Sequence, residues 1–130
     1  MLDHLGFAVA DFPRSRGFYA AALAPLGMAV HSEGNGWAMF GPAGRPLLWI
    51  GGPDVAGRPP GHIHYAFAAA DRESVNAFHA AALTAGGHDN GGPGIRPQYH
   101  ANYYAAFVID PDGHNIEAVC HAPGAPEDQT

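Results

Sequence analysis

The chain predicts an α+β fold of two tandem βαβββ modules, and three observations carry that expectation. The segment HLGFAVAD at 4–11 returns at 64–71 as HYAFAAAD. The match continues at the same shift of sixty, pairing Phe18 with Phe78, Ala20–Leu23 with Ala80–Leu83, and Gly27 with Gly87. After each helical stretch come short apolar runs punctuated by Gly and Pro, as strands joined by turns require. A repeat of this length is one supersecondary unit built twice, and 130 residues suffice for one domain with a real core.

Residues 2–10 alternate as a strand, with His4, Gly6 and Ala8 on one face and Leu5, Phe7 and Val9 on the other. Asp11 is a good N-cap and Pro13 sits just inside, so a helix is expected to about Leu23, closed by Pro25 and Gly27. Strands are expected near 28–33, 36–40 and 46–51, separated by Gly34-Asn35-Gly36 and Gly41-Pro42-Ala43-Gly44. Module one is thus about 1–51, and a Gly/Pro-rich linker covers about 52–61. Module two, about 62–121, restarts with a strand at 62–70 and an Asp71-capped helix to about Ala85. An irregular segment from His88 to His100 precedes strands at 102–109 and 114–121, joined by Asp110-Pro111-Asp112-Gly113. The tail 122–130 reads as mobile. Aligning FGPAG (40–44) with IDPDG (109–113) gives module two nine extra residues and sets Leu48 opposite Glu117.

Composition removes several function classes. A net charge of −6 argues against nucleic acid, which is bound by neutralising phosphates. No apolar run approaches a membrane span, and the N-terminus reads as carrying no signal peptide. One cysteine, Cys120, suits a reducing cytoplasm. The chain has no lysine, which excludes Schiff-base chemistry and Walker-type phosphate binding. Nine histidines direct attention to metal or acid–base work.

His4 and His64 begin equivalent strands, and the small residues Gly6, Ala8, Ala66 and Ala68 on the same faces leave room above the imidazoles. Either histidine alone would be read as a strand end hydrogen-bonded locally; the duplicated pair favours a site. His62 is a rival ligand on the face of His64 but has no counterpart in the first copy. Glu117 is the third candidate, because a carboxylate in so apolar a strand is costly to bury unless paired or ligating. Two imidazoles and one carboxylate form a facial triad with open positions. In the second copy's insertion, Arg96 could hold an anion, His100 could act as acid or base, and Tyr103 could donate a hydrogen bond. The bland alternative is a packed loop with a solvated arginine. His31, His79, His88, His114 and His121 are expected at the surface, and Trp37 and Trp49 in core or cavity wall.

The paired HxxFxVxD-like starts and the terminal DPDGxxxE resemble the vicinal oxygen chelate superfamily of glyoxalase I, extradiol dioxygenases and bleomycin-resistance proteins. The resemblance spans Leu2 to His121. It implies that the two sheets form a curved, partly closed cavity, with metal ligands at His4, His64 and Glu117. Leu48, where glyoxalase I has a carboxylate, tilts the reading toward an extradiol-type His-His-Glu site. There His100 takes the acid–base place, Phe107 replaces a tyrosine, and Tyr103 on the same face could substitute for it. Substrate contacts are expected from Arg96, Tyr104, Phe107 and Leu48. Iron(II) or manganese is the expected metal, with zinc or nickel as alternatives, and a cytoplasmic homodimer acting on a small molecule is the expected setting. The competing functions are a glyoxalase-like lyase or isomerase, a metal-free antibiotic-binding protein, and a vestigial site.

Overall fold

A computed structural model describes residues 2–124. The first sheet is built from β1 (Leu5–Ala8), β2 (Ala29–Gly34), β3 (Trp37–Gly41) and β4 (Leu48–Gly51), in the order β1-β4-β3-β2. The second is built from β5 (His64–Ala68), β6 (His88–Asp89), β8 (Tyr104–Ile109) and β9 (Asn115–Cys120), in the order β5-β9-β8-β6, with β7 (Gly94–Ile95) also on β8. Each sheet opens with a strand parallel to its last one, β1 on β4 and β5 on β9, so the repeat in sequence is a repeat in topology. Both sheets are curved and neither closes into a barrel. β1 and β5 are shorter than alternation suggests, although the Val9 and Ala69 N–H groups still donate to the neighbouring strands just beyond them. The linker contains a single helical turn, α2 (Pro53–Ala56), and the irregular segment supplies β6 and β7. Of the tail, residues 125–130 lie outside the described part of the chain. No helix among the described residues is long and apolar enough to cross a membrane.

The helices start where their caps predict. The Asp11 carboxylate accepts from the Arg14 N–H at 3.1 Å ahead of α1 (Phe12–Leu23), and Asp71 accepts from Ser74 at 2.7 Å ahead of α3 (Arg72–Thr84). Helical spacing buries Phe18, Tyr19, Ala22 and Leu23 on α1 and Val75, Phe78 and Ala82 on α3. They meet Phe7, Phe40, Ile50, Phe67, Val108 and Ile116 in one core shared by both halves. Burying each large apolar side chain contributes about 1.5–3 kcal/mol.

The register corrects one expectation. Gly6 pairs with Trp49 in the first sheet, and Ala66 pairs with Glu117 in the second. Trp49, not Leu48, therefore occupies the place of Glu117, and the insertion is eight residues. Leu48 is buried in the core opposite Leu5, on the opposite face of β4 from Trp49, where it borders a small cavity with His4 and Tyr65. The cause lies in the turns. The left-handed glycine that closes them is Gly44 (φ 73°), four residues after Phe40, but Gly113 (φ 91°), five after the equivalent Val108. Matching the Pro and Gly of two differently built turns displaces the strands beyond them by one position, which exchanges the two faces.

A buried polar cluster joins the halves. Tyr19 on α1 donates to Asp110 Oδ2 at 2.5 Å, and Tyr65 on β5 donates to the Tyr19 hydroxyl oxygen. Asp110 Oδ1 accepts the backbone N–H groups of Asp112 (2.9 Å) and His114 (2.8 Å). Asp112 in turn accepts from the Ala10 N–H at 3.0 Å and the Ser15 hydroxyl at 3.2 Å, docking the β8–β9 turn on the start of α1. His114, expected at the surface, is fully buried here: its Nδ1 accepts from the Ile63 N–H at 3.2 Å and its ring edge meets Phe7. Burial, followed by the neighbouring phenol and carboxylate, holds Tyr19 well above the ordinary phenol range. Burial raises Tyr65 likewise, partly offset by its hydrogen bond with Tyr19.

Replacing Tyr19 with Phe leaves Asp110 short of its hydroxyl donor and is expected to cost about 1–3 kcal/mol in denaturant unfolding. Unfolded tyrosines lose protons near pH 10 while native Tyr19 and Tyr65 keep theirs. The unfolded state then binds fewer protons, so stability falls as pH rises through and beyond about 10. Tyr65→Phe should flatten that decline in pH-dependent melting curves.

Candidate functional site

Alternation along β5 and β9 points His64, Ala66 and Ala68, with Asn115, Glu117 and Val119, to the face of the second sheet away from the helices. Phe107 on β8 joins them, paired with Glu117. Glu117 is only 2% exposed. Its Oε2 accepts a short hydrogen bond from the Tyr103 hydroxyl, and its Oε1 lies 3.1 Å from His64 Nε2. Phe107 stacks on the His64 ring at 6.2 Å and 26°. Tyr103 is pushed up to about 12, first by desolvation and then by its hydrogen bond to the Glu117 carboxylate.

The protons on His64 follow from its partners. Nδ1 is 2.9 Å from the Asn115 carbonyl oxygen, which can only accept, so Nδ1 carries a hydrogen. In the neutral ring, Nε2 then presents a lone pair to a carboxylate oxygen that also has only lone pairs. Two acceptors at this distance require something positive between them, a second proton or a cation. The donor set, one imidazole nitrogen and one buried carboxylate oxygen, fits a divalent ion.

His4 is not brought to that pair. Its Nδ1 bonds the Asp3 carboxylate at 2.8 Å, and its side chain is 58% exposed. It does border the seam, where it lines a cavity of about 120 Å³ with Tyr65 and Ala66, the register partner of Glu117. No three His, Cys, Asp or Glu side chains among the described residues are grouped closely enough to hold a metal ion. The corresponding face of the first sheet has His4, Gly6, Met39 and Trp49 around a cavity of about 550 Å³, with an indole where the second sheet has its carboxylate.

The insertion folds over the far end of the second sheet. His100 Nδ1 accepts the Asn102 N–H at 3.0 Å, so its hydrogen is on Nε2, which donates to His121 Nδ1 at 2.7 Å. Both nitrogens of His100 are thus engaged. The remaining N–H of the pair is on His121, an expected surface residue that the structure pairs with His100. The signal was present: Asn115, Glu117, Val119 and His121 alternate along one face. Both imidazoles meet the Tyr103 ring edge to face. Arg96 lies over Phe107, its carbon 5.2 Å from the ring centre, and donates to the carbonyls of Gly94 and Gly92 at 2.8 Å each. Tyr104 turns the other way, donating to Asn76 at 2.6 Å beneath the Arg72 guanidinium, so it belongs to the helix side and not to this face.

The model of the glyoxalase/bleomycin resistance protein/dioxygenase superfamily matches residues 1–118. Comparison with curated proteins gives no match. A glyoxalase/bleomycin resistance protein from Albidiferax ferrireducens T118 is 31% identical, covering 95% of this chain and 99% of its own, with a TM-score of 0.78. A glyoxalase/bleomycin resistance protein/dioxygenase family enzyme from Burkholderia phytofirmans PsJN shares the fold at 14% identity, 92% and 98% coverage and a TM-score of 0.72. A glyoxalase I mutant from Zea mays aligns over 91% of this chain but 46% of its own, at 23% identity and a TM-score of 0.71. With the family model matching almost end to end, the chain belongs to the glyoxalase/bleomycin resistance protein/dioxygenase superfamily.

Proposed function

We propose that this protein is a divalent-metal-dependent enzyme of the vicinal oxygen chelate type, with an extradiol-dioxygenase-like His-His-Glu set. His64 and Glu117 supply two ligands, and His4, reoriented from Asp3 across the seam, supplies the third. The observation that carries this reading is the contact of His64 Nε2 with Glu117 Oε1, two acceptors 3.1 Å apart while Nδ1 is committed to a carbonyl. Iron(II) or manganese suits one carboxylate and two imidazoles with open positions. An ion held there would supply Lewis acidity, and iron would also supply electron transfer to oxygen.

The chain's own residues do the rest. The Asn115 carbonyl fixes the His64 tautomer and leaves Nε2 free to ligate. The Tyr103 hydroxyl holds Glu117 Oε2, so Oε1 alone points at His64. With Tyr103 pushed up to about 12, its proton stays in place at neutral pH, and the hydroxyl is a fixed donor and not a base. Acid–base exchange at this end of the face falls to the His100–His121 pair. The pair accepts a proton only by breaking its mutual bond or the Asn102 bond, since both acceptor nitrogens are occupied. We place the enzyme in the cytoplasm, whose reducing conditions suit its single free thiol, and expect a homodimer.

The contact that favours metal is also that of an imidazolium–carboxylate pair, which would suit a metal-free binding protein. Metal analysis separates the two. Protein purified without chelator and supplied with iron(II) or manganese(II) is expected to retain about one ion per chain. His64→Ala and Glu117→Gln should lose it, and a saturating ion should raise stability by about 2.7 kcal/mol at a hundredfold excess over Kd. Wild-type protein that takes up no ion would overturn the metal reading, and Glu117→Gln with full occupancy would remove the carboxylate from the ligand set. In nitrogen-15 NMR, His100 should show its hydrogen on Nε2, and should keep it there in His121→Ala, since the Asn102 N–H still occupies Nδ1.

A further inference from the structure

Across the open face of the second sheet, one row runs Ala66, Glu117, Phe107 and then Gly91, whose carbonyl accepts the Phe107 N–H at 2.8 Å. The last step of that row has no side chain of its own. A Cβ on Gly91 (φ 143°) would meet Arg96 Nη2 at 3.1 Å and Phe107 Cδ1 at 3.2 Å. The guanidinium therefore lies in the space left by that absent side chain. Gly94 closes the other side, where a Cβ would stand 3.3 Å from Nη1. The segment Gly91-Gly92-Pro93-Gly94-Ile95-Arg96 folds round its own arginine, with two carbonyls and the Phe107 ring fixing the plane.

A guanidinium has five N–H donors. Two are used by Gly94 and Gly92, which leaves three, and none of the ion pairs among the described residues includes Arg96. This is a half-buried, immobilised and uncompensated cation in a chain of net charge −6. Its fork suits a carboxylate, which it can grip through two parallel hydrogen bonds. Adjacent strands lie about 4.8 Å apart, so Gly91, two strands from Glu117, is about 10 Å away across the face. That separation is the length of a molecule with one ring or a short chain.

Building on the metal-site reading, we propose that the substrate is a small carboxylate anion. Two adjacent oxygens would be held by the ion that His64 and Glu117 ligate, and its carboxylate by Arg96, which selects for the acid. Fixing the guanidinium in the free protein removes the ordering cost that a solvated arginine would incur on binding.

The test measures dissociation constants by calorimetry, without oxygen, on iron(II)-loaded protein. The probes are catechol, protocatechuate (catechol bearing a carboxylate) and the neutral amide of protocatechuate. Wild type is expected to bind the acid about tenfold or more tighter than catechol and the amide, a single charge-assisted pair being sufficient for that ratio. Arg96→Gln should bring the three ligands within about twofold of one another with catechol unchanged, and Arg96→Lys should restore part of the preference. Equal binding of acid and amide by wild type overturns the proposal without reference to any variant. So does a preference that survives Arg96→Gln, or an equal weakening of all three probes, which would make Arg96 a strut of its loop only. If iron(II) is retained but none of the three binds, the chelate reading falls and takes this one with it. Catechol binding without acid preference removes this proposal alone.

Discussion

The Asp110 carboxylate is the point on which the arrangement of this protein depends. Nearly all of it is out of water, and it takes donors from α1 through Tyr19 and from the backbone of the β8–β9 turn. Through Tyr19 it also reaches Tyr65, the residue after His64. The strand that carries Glu117 starts five residues beyond Asp110. One buried acid thus sets α1, β5 and β9 against one another. An apolar seam of the same volume would hold the halves together with less orientational precision, because dispersion contacts are not directional.

Much of the fold is legible in the sequence because its determinants are local. Asp11 and Asp71 announce their helices by capping, and the alternation of 64–68 and 115–120 gives the two faces of each strand. Register is less legible, since it is settled by pairing across the sheet. Pro42 and Gly44 look like Pro111 and Gly113, yet the left-handed glycine falls at different points in the two turns, and Leu48 trades places with Trp49. His114 defeats a polarity-based reading for a related reason. Its burial comes from the Ile63 backbone and Phe7, partners 51 and 107 positions away in the chain.

The candidate site divides in the same manner. His64, Glu117, Phe107 and Tyr103 share a face by simple alternation, and the structure assembles them as that periodicity implies. Arg96 and His100 lie in irregular backbone, where no period tells which way a side chain points. The structure supplies their partners, two loop carbonyls for one and His121 for the other. The symmetry of His4 with His64 suggests equivalent roles. Their neighbours are not equivalent, because Asp3 competes for His4 while His64 has a backbone carbonyl and a buried acid.

The indole of Trp49 has a consequence for how such a chain can change. In β4, Leu48 and Ile50 face the core while Trp49 stands on the other side, on a cavity wall. The two sides of one strand are therefore close to independent variables: the inward one is held by packing, and the outward one by whatever occupies the cavity. A doubled module with one face already committed to a carboxylate leaves its twin free to take bulk, charge or nothing at all. Variation in this lineage can then alter the shape of that second hollow while the shared interior remains as it is.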